Sequence, residues 1–475
     1  MINGRIRRIT CAKMAWGALA LVIAGSVHAT TLVGGGTTLP ALGYVGSNAA
    51  TQLQVFGTNV ASGSLFGVDS STTPIGAPAF SYCETGDDAS KNIFAGVTTY
   101  SSGLTTPYNV QNSCTKNATG TITGFGAALS GVNRTDLAQP DFAAVDSPLN
   151  ASDYLNYQNN HTSGDYPVQF PAVAGAVAIA FNLRDNTGAQ VTSSEVNLSD
   201  TQVCLIFSDQ ITSWNDTRLA SAFTLPAGHS IPANPINVQY RSDGSGTTFS
   251  LSNHLANVCG TINSSVFETS QAFTSVVANF INPVPTNWTG SSGDESLAEA
   301  LGNTANSIAY VSTANALATN TPLQIADVNG TNPVNDFGGP FTITDTAFVY
   351  NEVMNTTNNT NGTAQLEAIS SIPGVVNPPT TSCIALVKPA LYAKPGVSGG
   401  VVPTGTYPIV AISYLLANAE GNGADLLHMK RLLIAPYGFN FTSRVTTIGP
   451  GTGLAFLTLG TNAFTISQVS GCLVN

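Results

Sequence analysis

Residues 168–182 form a nearly continuous apolar run that is rich in β-branched and aromatic side chains. A run without polar alternation predicts a central strand that is buried on both faces of its sheet. Its uninterrupted part, from Pro171 to Phe181, is too short to cross a bilayer. A strand that ends in a glycine turn is predicted at 31–36, and a further strand is predicted at 407–412.

Other segments repeat apolar residues at the spacing of a helix. Residues 199–211 begin with a serine that suits an N-cap and then carry apolar side chains four positions apart. Residues 251–258 repeat apolar side chains in a similar way, and shorter helices are predicted at 48–58 and 294–301. Strands that alternate with helices indicate an α/β protein built on parallel sheets.

The N-terminal residues have the pattern of an export signal. Basic residues, the last of them Lys13, precede an apolar run from Met14 to about Val27, and Val27-His28-Ala29 matches a small-x-small cleavage site. We therefore expect residues 1–29 to be a signal peptide, with a buried N-terminal helix as the alternative. The mature chain is expected to be periplasmic or secreted and to contain no membrane span.

The composition limits the partners of the chain. Charged residues make up 9% of the sequence and apolar residues 43%, which suits a secreted, loop-rich globular protein. The formal net charge is −11, and loss of the four basic residues of the signal peptide would give −11 − 4 = −15. Binding to nucleic acid is not expected, because it depends on Lys and Arg at the phosphates. A small anion can still bind, since local dipoles and one well-placed Arg dominate at contact distance.

The cysteines predict disulfides. Cys11 lies in the signal peptide, and an even number of cysteines in the remaining exported chain predicts three bridges. No CxxC pair is present, so a zinc site is not favoured, and we expect neither a metal nor a cofactor. Fifteen pairings are open in principle. The cysteines concerned are Cys83, Cys114, Cys204, Cys259, Cys383 and Cys472.

The segment 238–249 carries the clearest candidate chemistry. A strand-like run ends at Arg241, Asp243 follows two positions later, and Gly244-Ser245-Gly246-Thr247 then opens a helix. The first N–H groups of a helix have no intrahelical acceptor and lie at the positive end of its dipole, where they bind oxyanions. Arg adds a planar fork that matches phosphate. The alternative is a surface Arg that simply pairs with Asp243.

This segment resembles the phosphate-clamping loop of the periplasmic phosphate-binding proteins that feed bacterial ABC importers, and of their secreted DING-type relatives. Matches are scattered from about residue 34 to about residue 430. Each match is weak alone, but together they are specific, because they follow the order of the family. The further similar segments are 34–41, 141–149, 169–177, 207–216 and 307–314.

The resemblance implies an α/β, two-lobed type 2 periplasmic-binding-protein-like fold with two interlobe crossovers. Lobe one would comprise residues 30–174 and 407–475, and lobe two would comprise residues 175–406. Residues 62–122 are rich in Gly, Ser, Thr and Asn and match nothing in compact members, so they would be a loop-rich insertion in lobe one. The resemblance further implies a monomer without catalytic activity that captures inorganic phosphate between its lobes and delivers it to an ABC permease.

The resemblance assigns three phosphate-binding residues to lobe one. Thr38 would donate its hydroxyl and its backbone N–H, and Leu39 would contribute mainly its backbone. Asp146 would accept the proton that phosphate still carries near neutral pH, and it would reject sulfate because an ionised carboxylate is only an acceptor. The alternatives are a turn threonine for Thr38 and a helix-capping aspartate before Pro148 for Asp146.

The resemblance assigns the remaining contacts to lobe two. Arg241 would be the charged anchor of the phosphate, and Asp243 would orient it. The donors at the start of the following helix would be Ser245, Gly246 and Thr247, although Ser245 and Thr247 could serve only as helix caps.

Two further points follow from the comparison with that family. Its glycine-serine loop corresponds here to residues 124–127, which lack the hydroxyl, so Ser130 or the backbone N–H of Ala127 is expected to replace it. DING-type relatives carry cysteines at places equivalent to Cys204 and Cys259, which favours that bridge. Cys83–Cys114 would close a local loop, and Cys383–Cys472 would remain by elimination.

An enzymatic alternative comes from residues 396–400, which match the G-x-S-x-G pattern of a nucleophile elbow. An elbow needs a helix after the serine, and Val401-Val402-Pro403 cannot start one. Walker and HExxH motifs are missing from the sequence. We therefore expect a phosphate-binding protein for ABC-type import. A secreted DING-like phosphoesterase or phosphate-ester-binding protein is the alternative, and a surface protein that kept the fold and lost the ligand is a third option.

Overall fold

The structure is a computed structural model, and it describes residues 31–71, 78–98, 106–162, 164–318 and 323–475. The predicted signal peptide and Cys11 lie outside the described residues, as do parts of the predicted insertion. Among the described residues, every helix is too short or too polar to cross a bilayer.

The strands of the described chain are numbered in sequence order. They are β1 (Thr31–Gly36), β2 (Gln54–Phe56), β3 (Ala79–Glu84), β4 (Phe142–Val145), β5 (Pro167–Asn182), β6 (Asn197–Leu198), β7 (Asn237–Arg241), β8 (Thr289–Ser291), β9 (Ser307–Ser312), β10 (Gln324–Ile325), β11 (Asp327–Val328), β12 (Phe341–Ile343), β13 (Phe348–Tyr350), β14 (Glu352–Met354), β15 (Leu366–Ala368), β16 (Ala385–Val387), β17 (Val410–Asn418) and β18 (Leu454–Leu459).

The α-helices are numbered in the same way. They are α1 (Ala41–Val45), α2 (Leu65–Ser71), α3 (Asp87–Phe94), α4 (Ala151–Asn160), α5 (Asp200–Phe207), α6 (Gly246–Val258), α7 (Phe273–Val277), α8 (Asp294–Asn303), α9 (Thr313–Ala318), α10 (Leu426–Ile434), α11 (Phe439–Thr442) and α12 (Ile466–Gly471).

One long strand, β5, joins the two halves of the molecule. The main sheet has the order β2-β3-β1-β4-β17-β5-β9-β7-β8. β5 pairs antiparallel with β17 as far as Ala176 and with β9 from Val177 onward, so it passes from one half of the sheet to the other. We call the half around β1–β4 lobe one and the half around β7–β9 lobe two. The expected two-lobed α/β fold is confirmed, and the lobe boundaries near 174 and 407 stay a prediction.

The buried character of β5 follows from its sequence. Every residue from Pro167 to Phe181 is buried, as the apolar run predicts. At Gly175 a Cβ atom would lie 2.2 Å from Cδ2 of Leu39, so the glycine lets the start of lobe one pack directly on the crossing strand. The predicted strand at 407–412 begins only at Val410, because Pro408 has no N–H to give to a sheet.

Most predicted helices are present, with one exception. Ser199 caps α5 in a capping box with Gln202, as the sequence predicts. The predicted helix at 48–58 is wrong, because Gln54–Phe56 pairs as an edge strand with Ser81–Cys83 of β3. Val55 is buried in this pairing, so sheet contacts override the local helical pattern.

The three predicted disulfides are confirmed. Cys204–Cys259 joins α5 to the end of α6, and Cys383–Cys472 joins the segment before β16 to the end of α12. Cys83–Cys114 joins β3 to the segment that follows α3, and both cysteines lie within residues 62–122 of the predicted insertion. Because β3 lies between β1 and β2 in the main sheet, residues 79–84 belong to the framework of lobe one rather than to a loop-rich insertion, and the outer bounds of the insertion stay a prediction.

Candidate functional site

The strand β7 ends at Arg241, and the helix α6 begins five residues later at Gly246. Ser245 is the N-cap residue, and its hydroxyl accepts a hydrogen bond from the N–H of Thr248 at 3.2 Å. The N–H groups of Gly246 and Thr247 open the helix and have no intrahelical acceptor. The predicted arrangement of strand, turn and helix start is therefore present.

Arg241 is a buried cation that two carboxylates hold in place. Its side chain is 2% exposed, and Nε donates to Oδ1 of Asp243 at 2.7 Å while Nη2 donates to Oδ2 of the same residue. Nη1 donates to Oδ1 of Asp294 at 2.7 Å. Burial alone would lower the pKa of Arg241, but Asp243 and Asp294 hold that pKa above its usual range. The guanidinium therefore stays charged and fixed in orientation.

Asp294 is a site residue that the sequence analysis missed. It is fully buried at the first position of α8, and its Oδ2 accepts from the N–H of Ser312 at 3.1 Å. Its Oδ1 lies 3.5 Å from the hydroxyl of Thr247 in addition to its bond with Arg241. This carboxylate thus occupies donors that the sequence analysis assigned to phosphate. The sequence contained one signal for this residue, because the acidic pair Asp294-Glu295 opens a predicted helix.

Asp146 packs directly against the start of α6. It follows β4 and is fully buried, and a Cβ atom at Gly246 would lie only 2.3 Å from its Cβ. The Thr37 hydroxyl donates to Oδ2, whereas Oδ1 accepts no well-formed hydrogen bond from the described residues, although the side chains of Thr37 and Ser413 both lower the pKa of the carboxyl. Burial raises the pKa of Asp146 well above its usual range, and the neighbouring Asp87 raises that pKa further.

Thr38 and Leu39 lie at the start of α1, next to Asp146. The Thr38 hydroxyl is buried and has no hydrogen-bond partner in the described part of the chain. Its carbonyl oxygen accepts from Nδ2 of Asn315, which belongs to α9 on the other side of β5, at 3.5 Å. Leu39 is fully buried against Gly175. Thr38 thus presents an unused hydroxyl, while the side chain of Leu39 serves packing.

The start of α3 is a second element that the sequence analysis missed. The N–H groups of Thr85 and Gly86 bond the carbonyl oxygen of Gly36, because β3 lies parallel to β1. Asp87 accepts from the Ser147 hydroxyl at 2.6 Å, and the N–H of Asp88 donates to the Gly244 carbonyl oxygen at 3.3 Å. This loop therefore lies between Asp146 and the Arg241 turn.

The structure does not bring residues 124–130 to this place. Ala127 is buried, and its backbone bonds Val110 and Arg134, whereas Ser130 is exposed. Neither residue has a recorded contact with Thr38, Asp146 or the Arg241 turn. The start of α3 lies where the sequence analysis expected residues 124–127, and the assignment of residues 62–122, which include α3, to an insertion obscured that correspondence.

A small cavity adjoins Thr38 at the junction of the lobes, and several carboxyl groups line it. Glu84 is 3% exposed, and neither of its carboxyl oxygens has a hydrogen-bond partner among the described residues. Burial raises the pKa of Glu84 well above its usual range, and Glu295 and Asp294 raise it further. The polar lining comprises Thr38, Glu84, Thr85, Lys116, Asp243, Ser292, Asp294 and Glu295.

The residues of the enzymatic alternative are scattered. Ser398 lies in a turn, and residues 401–408 contain no helix after it. The recorded ring contacts of His254 are with the Ala393 carbonyl oxygen and Asp200, and that of His229 is with Asp185. In the described ranges no group of three His, Cys, Asp or Glu residues could hold a metal ion. A nucleophile–base pair around Ser398 is therefore not assembled in the described residues.

The chain belongs to a known superfamily of two-lobed binding proteins. A family model described as the PBP superfamily domain matches residues 85–428. That match covers most of the chain, from the residue after β3 into α10, and shows that the chain belongs to the PBP superfamily.

Individual relatives are more distant. The chain is 26% identical to alkaline phosphatase L of Pseudomonas aeruginosa over 65% of this chain and 63% of that protein. It is 33% identical to phosphate-binding protein PstS 3 of Mycobacterium leprae over 28% of this chain and 32% of that protein. The chain thus spans less than two thirds of the length of these relatives.

A solved structure supports the same fold over a larger share of the chain. The crystal structure of a phosphate-binding protein from Stenotrophomonas maltophilia superimposes with a TM-score of 0.50. The two sequences are 22% identical, and the match covers 90% of this chain and 91% of that one. At this identity the likeness concerns the fold.

The close contact between Gly246 and Asp146 predicts that a larger residue at position 246 hinders closure of the lobes. The methyl carbon that Gly246→Ala adds would lie only 2.3 Å from Cβ of Asp146, so the lobes must move apart to admit it. We expect the closed form to lose about 1–3 kcal/mol and the radius of gyration in small-angle X-ray scattering to increase. Gly302→Ala is the control, because a Cβ there has its nearest neighbour at 3.9 Å. Equal radii for both variants would contradict the close contact.

Proposed function

We propose that this protein is an extracytoplasmic solute-binding protein that captures inorganic phosphate in the cleft between its lobes. The observation that carries the proposal is the meeting of lobe one and lobe two at a single small polar site. Thr38 and Asp146 contribute oxygen atoms from lobe one that have no hydrogen-bond partner among the described residues. Arg241 and the start of α6 contribute a buried cation and N–H groups without intrahelical acceptors from lobe two.

These groups suit a tetrahedral oxyanion that carries a proton. The start of α6 and the Thr38 hydroxyl can donate to oxygen atoms of the anion, and the helix dipole favours negative charge there. Oδ1 of Asp146 can accept the remaining proton of the anion when the carboxyl is ionised. Phosphate meets this requirement near neutral pH, whereas sulfate has no proton to give.

Asp294 limits the strength of binding. Its carboxylate already accepts from Nη1 of Arg241 and lies within 3.5 Å of the Thr247 hydroxyl. An anion at this site must therefore share these donors with Asp294 and lies close to a second negative charge. The free N–H groups of α6 and the Thr38 hydroxyl carry the larger part of the proposed recognition.

The comparisons support this function by the names of the relatives. PstS 3 of Mycobacterium leprae and the structural neighbour from Stenotrophomonas maltophilia are both named phosphate-binding proteins. We extend the proposal to a periplasmic or secreted location, to an ABC permease as partner, and to lobes of residues 30–174 with 407–475 and 175–406. The absence of catalysis is part of the same proposal.

Titration with phosphate tests the function directly. After bound ligand has been stripped, we expect calorimetry to give a dissociation constant for phosphate that is micromolar or tighter. Thr38→Val removes an unpartnered hydroxyl without changing the shape of the side chain, so affinity should fall about tenfold. Thr458→Val, on an exposed position of β18, is the control and should bind as the natural protein does. Absence of heat with phosphate would count against the proposal and would favour a protein that kept the fold without the ligand.

Sulfate competition tests the role of Asp146, and the raised pKa sets its pH dependence. Below that pKa the carboxyl is neutral and can donate to sulfate, whereas above it the carboxylate only accepts and repels sulfate. We expect the preference for phosphate over sulfate to grow as the pH rises through that raised pKa. In Asp146→Asn the preference should be small and independent of pH. A variant that discriminates as the natural protein does would refute the repulsion argument.

A phosphoesterase is the second candidate, because one relative is named alkaline phosphatase L. We expect no release of product from a chromogenic phosphate ester above background, since the described residues assemble neither a metal cluster nor a base beside Ser398. Turnover that Ser398→Ala abolishes would support the phosphoesterase. Turnover that survives this substitution would point to a nucleophile elsewhere in the chain.

A further inference from the structure

Residues 108–122, here called the clasp, run from lobe one to lobe two at the edge of the acidic cavity. Lys116 donates from Nζ to the carbonyl oxygen of Ser292 at 3.1 Å and to Oγ of Ser296 at 2.7 Å. Oγ of Ser292 donates to the carbonyl oxygen of Gly120 at 3.0 Å. Three hydrogen bonds therefore join the clasp to lobe two, two of them at Ser292 in the turn after β8 and one at Ser296 in the first turn of α8.

The base of the clasp is fixed to lobe one. Cys114 forms the disulfide with Cys83, which is the residue immediately before Glu84 in β3. The N–H of Asn109 donates to the carbonyl oxygen of Thr123 at 2.9 Å, and Nε2 of Gln111 donates to the carbonyl oxygen of Leu137 at 2.6 Å. One end of the clasp is thus anchored covalently beside the cavity.

The tip of the clasp is an ordered turn that fits Ser292. Oδ1 of Asn117 accepts from the N–H groups of Thr119 and Thr121, each at 2.9 Å. Gly120 has a positive φ of 81°, and a Cβ atom there would lie 3.0 Å from Cβ of Ser292. A glycine at this position allows the backbone of the clasp to approach lobe two closely.

We propose that the clasp holds the lobes together over the bound anion and slows its release, with Lys116 as the principal contact. This inference rests on the proposed capture of phosphate and concerns the regulation of the same site. Lys116 is exposed, yet its hydrogen bonds form only when lobe two stands next to lobe one. Their energy therefore favours the closed form specifically, and opening of the lobes must break them before the anion can leave.

The test compares Lys116→Met with Lys116→Arg and Lys388→Met. The first variant keeps the aliphatic stem and removes the donors, so we expect phosphate to dissociate about threefold to tenfold faster in stopped-flow measurements. Lys116→Arg retains a donor and should restore slow release. Lys388 also donates to a backbone carbonyl, that of Thr346 at 3.0 Å, and is the matched control for loss of one lysine. A Cys83→Ala/Cys114→Ala double variant frees the base of the clasp and should also speed release.

Small-angle scattering without phosphate provides a readout that does not depend on the ligand. We expect a larger radius of gyration for Lys116→Met than for Lys388→Met, because the open form gains population. Equal dissociation rates or equal radii of gyration for these two variants would contradict the proposed role of the clasp. If the natural protein binds no phosphate, the proposed function fails, and the difference in radius alone decides for or against the clasp.

Discussion

The buried charge of Arg241 is the constraint on which the candidate site depends. A guanidinium with 2% exposure is costly to bury unless carboxylates pair with it, and here Asp243 and Asp294 do so. Asp243 belongs to the turn before α6, and Asp294 is the first residue of α8. The ion pairs therefore tie β7, the start of α6 and the start of α8 to one point. Because this framework is rigid, the free N–H groups of α6 face Asp146 in a defined position.

The same pairing has a consequence for the anion. One cation is matched by two carboxylates, so Arg241 brings no surplus positive charge to the site. Recognition must then come from helix N–H groups, hydroxyls and shared protons rather than from net attraction. Burial raises the pKa of Glu84, and protonation of this carboxyl, which lines the cavity but takes no part in the discrimination against sulfate, would lessen the repulsion that an anion meets there. Acidic composition and anion binding are compatible for this reason.

The fold could be predicted from the sequence further than the site could. The long apolar run of β5 and the capped start of α5 depend on local pattern, and both are present as predicted. Asp294 and the start of α3 could not be placed, because their proximity to Arg241 arises from the parallel packing of distant strands. The helix prediction for residues 48–58 was wrong for a related reason, since pairing with β3 determines the structure of this segment. Residues 124–127 were assigned to the site wrongly, because the predicted insertion of residues 62–122 took in α3, whose start adjoins the site.

An anion can reach the site only if the lobes move apart, and the strand pairing shows where the chain can bend to allow this. Asp146 packs against Gly246, and the N–H of Asp88 bonds the Gly244 carbonyl oxygen, so an anion cannot reach α6 while these contacts persist. β5 changes partner between Ala176 and Val177, and Val177 also donates to the carbonyl oxygen of Ile409 just before β17. Bending at this point separates the lobes without breaking the pairing within either lobe. Contacts that bridge the lobes far from this bend, such as those of Lys116, therefore resist opening of the lobes most strongly.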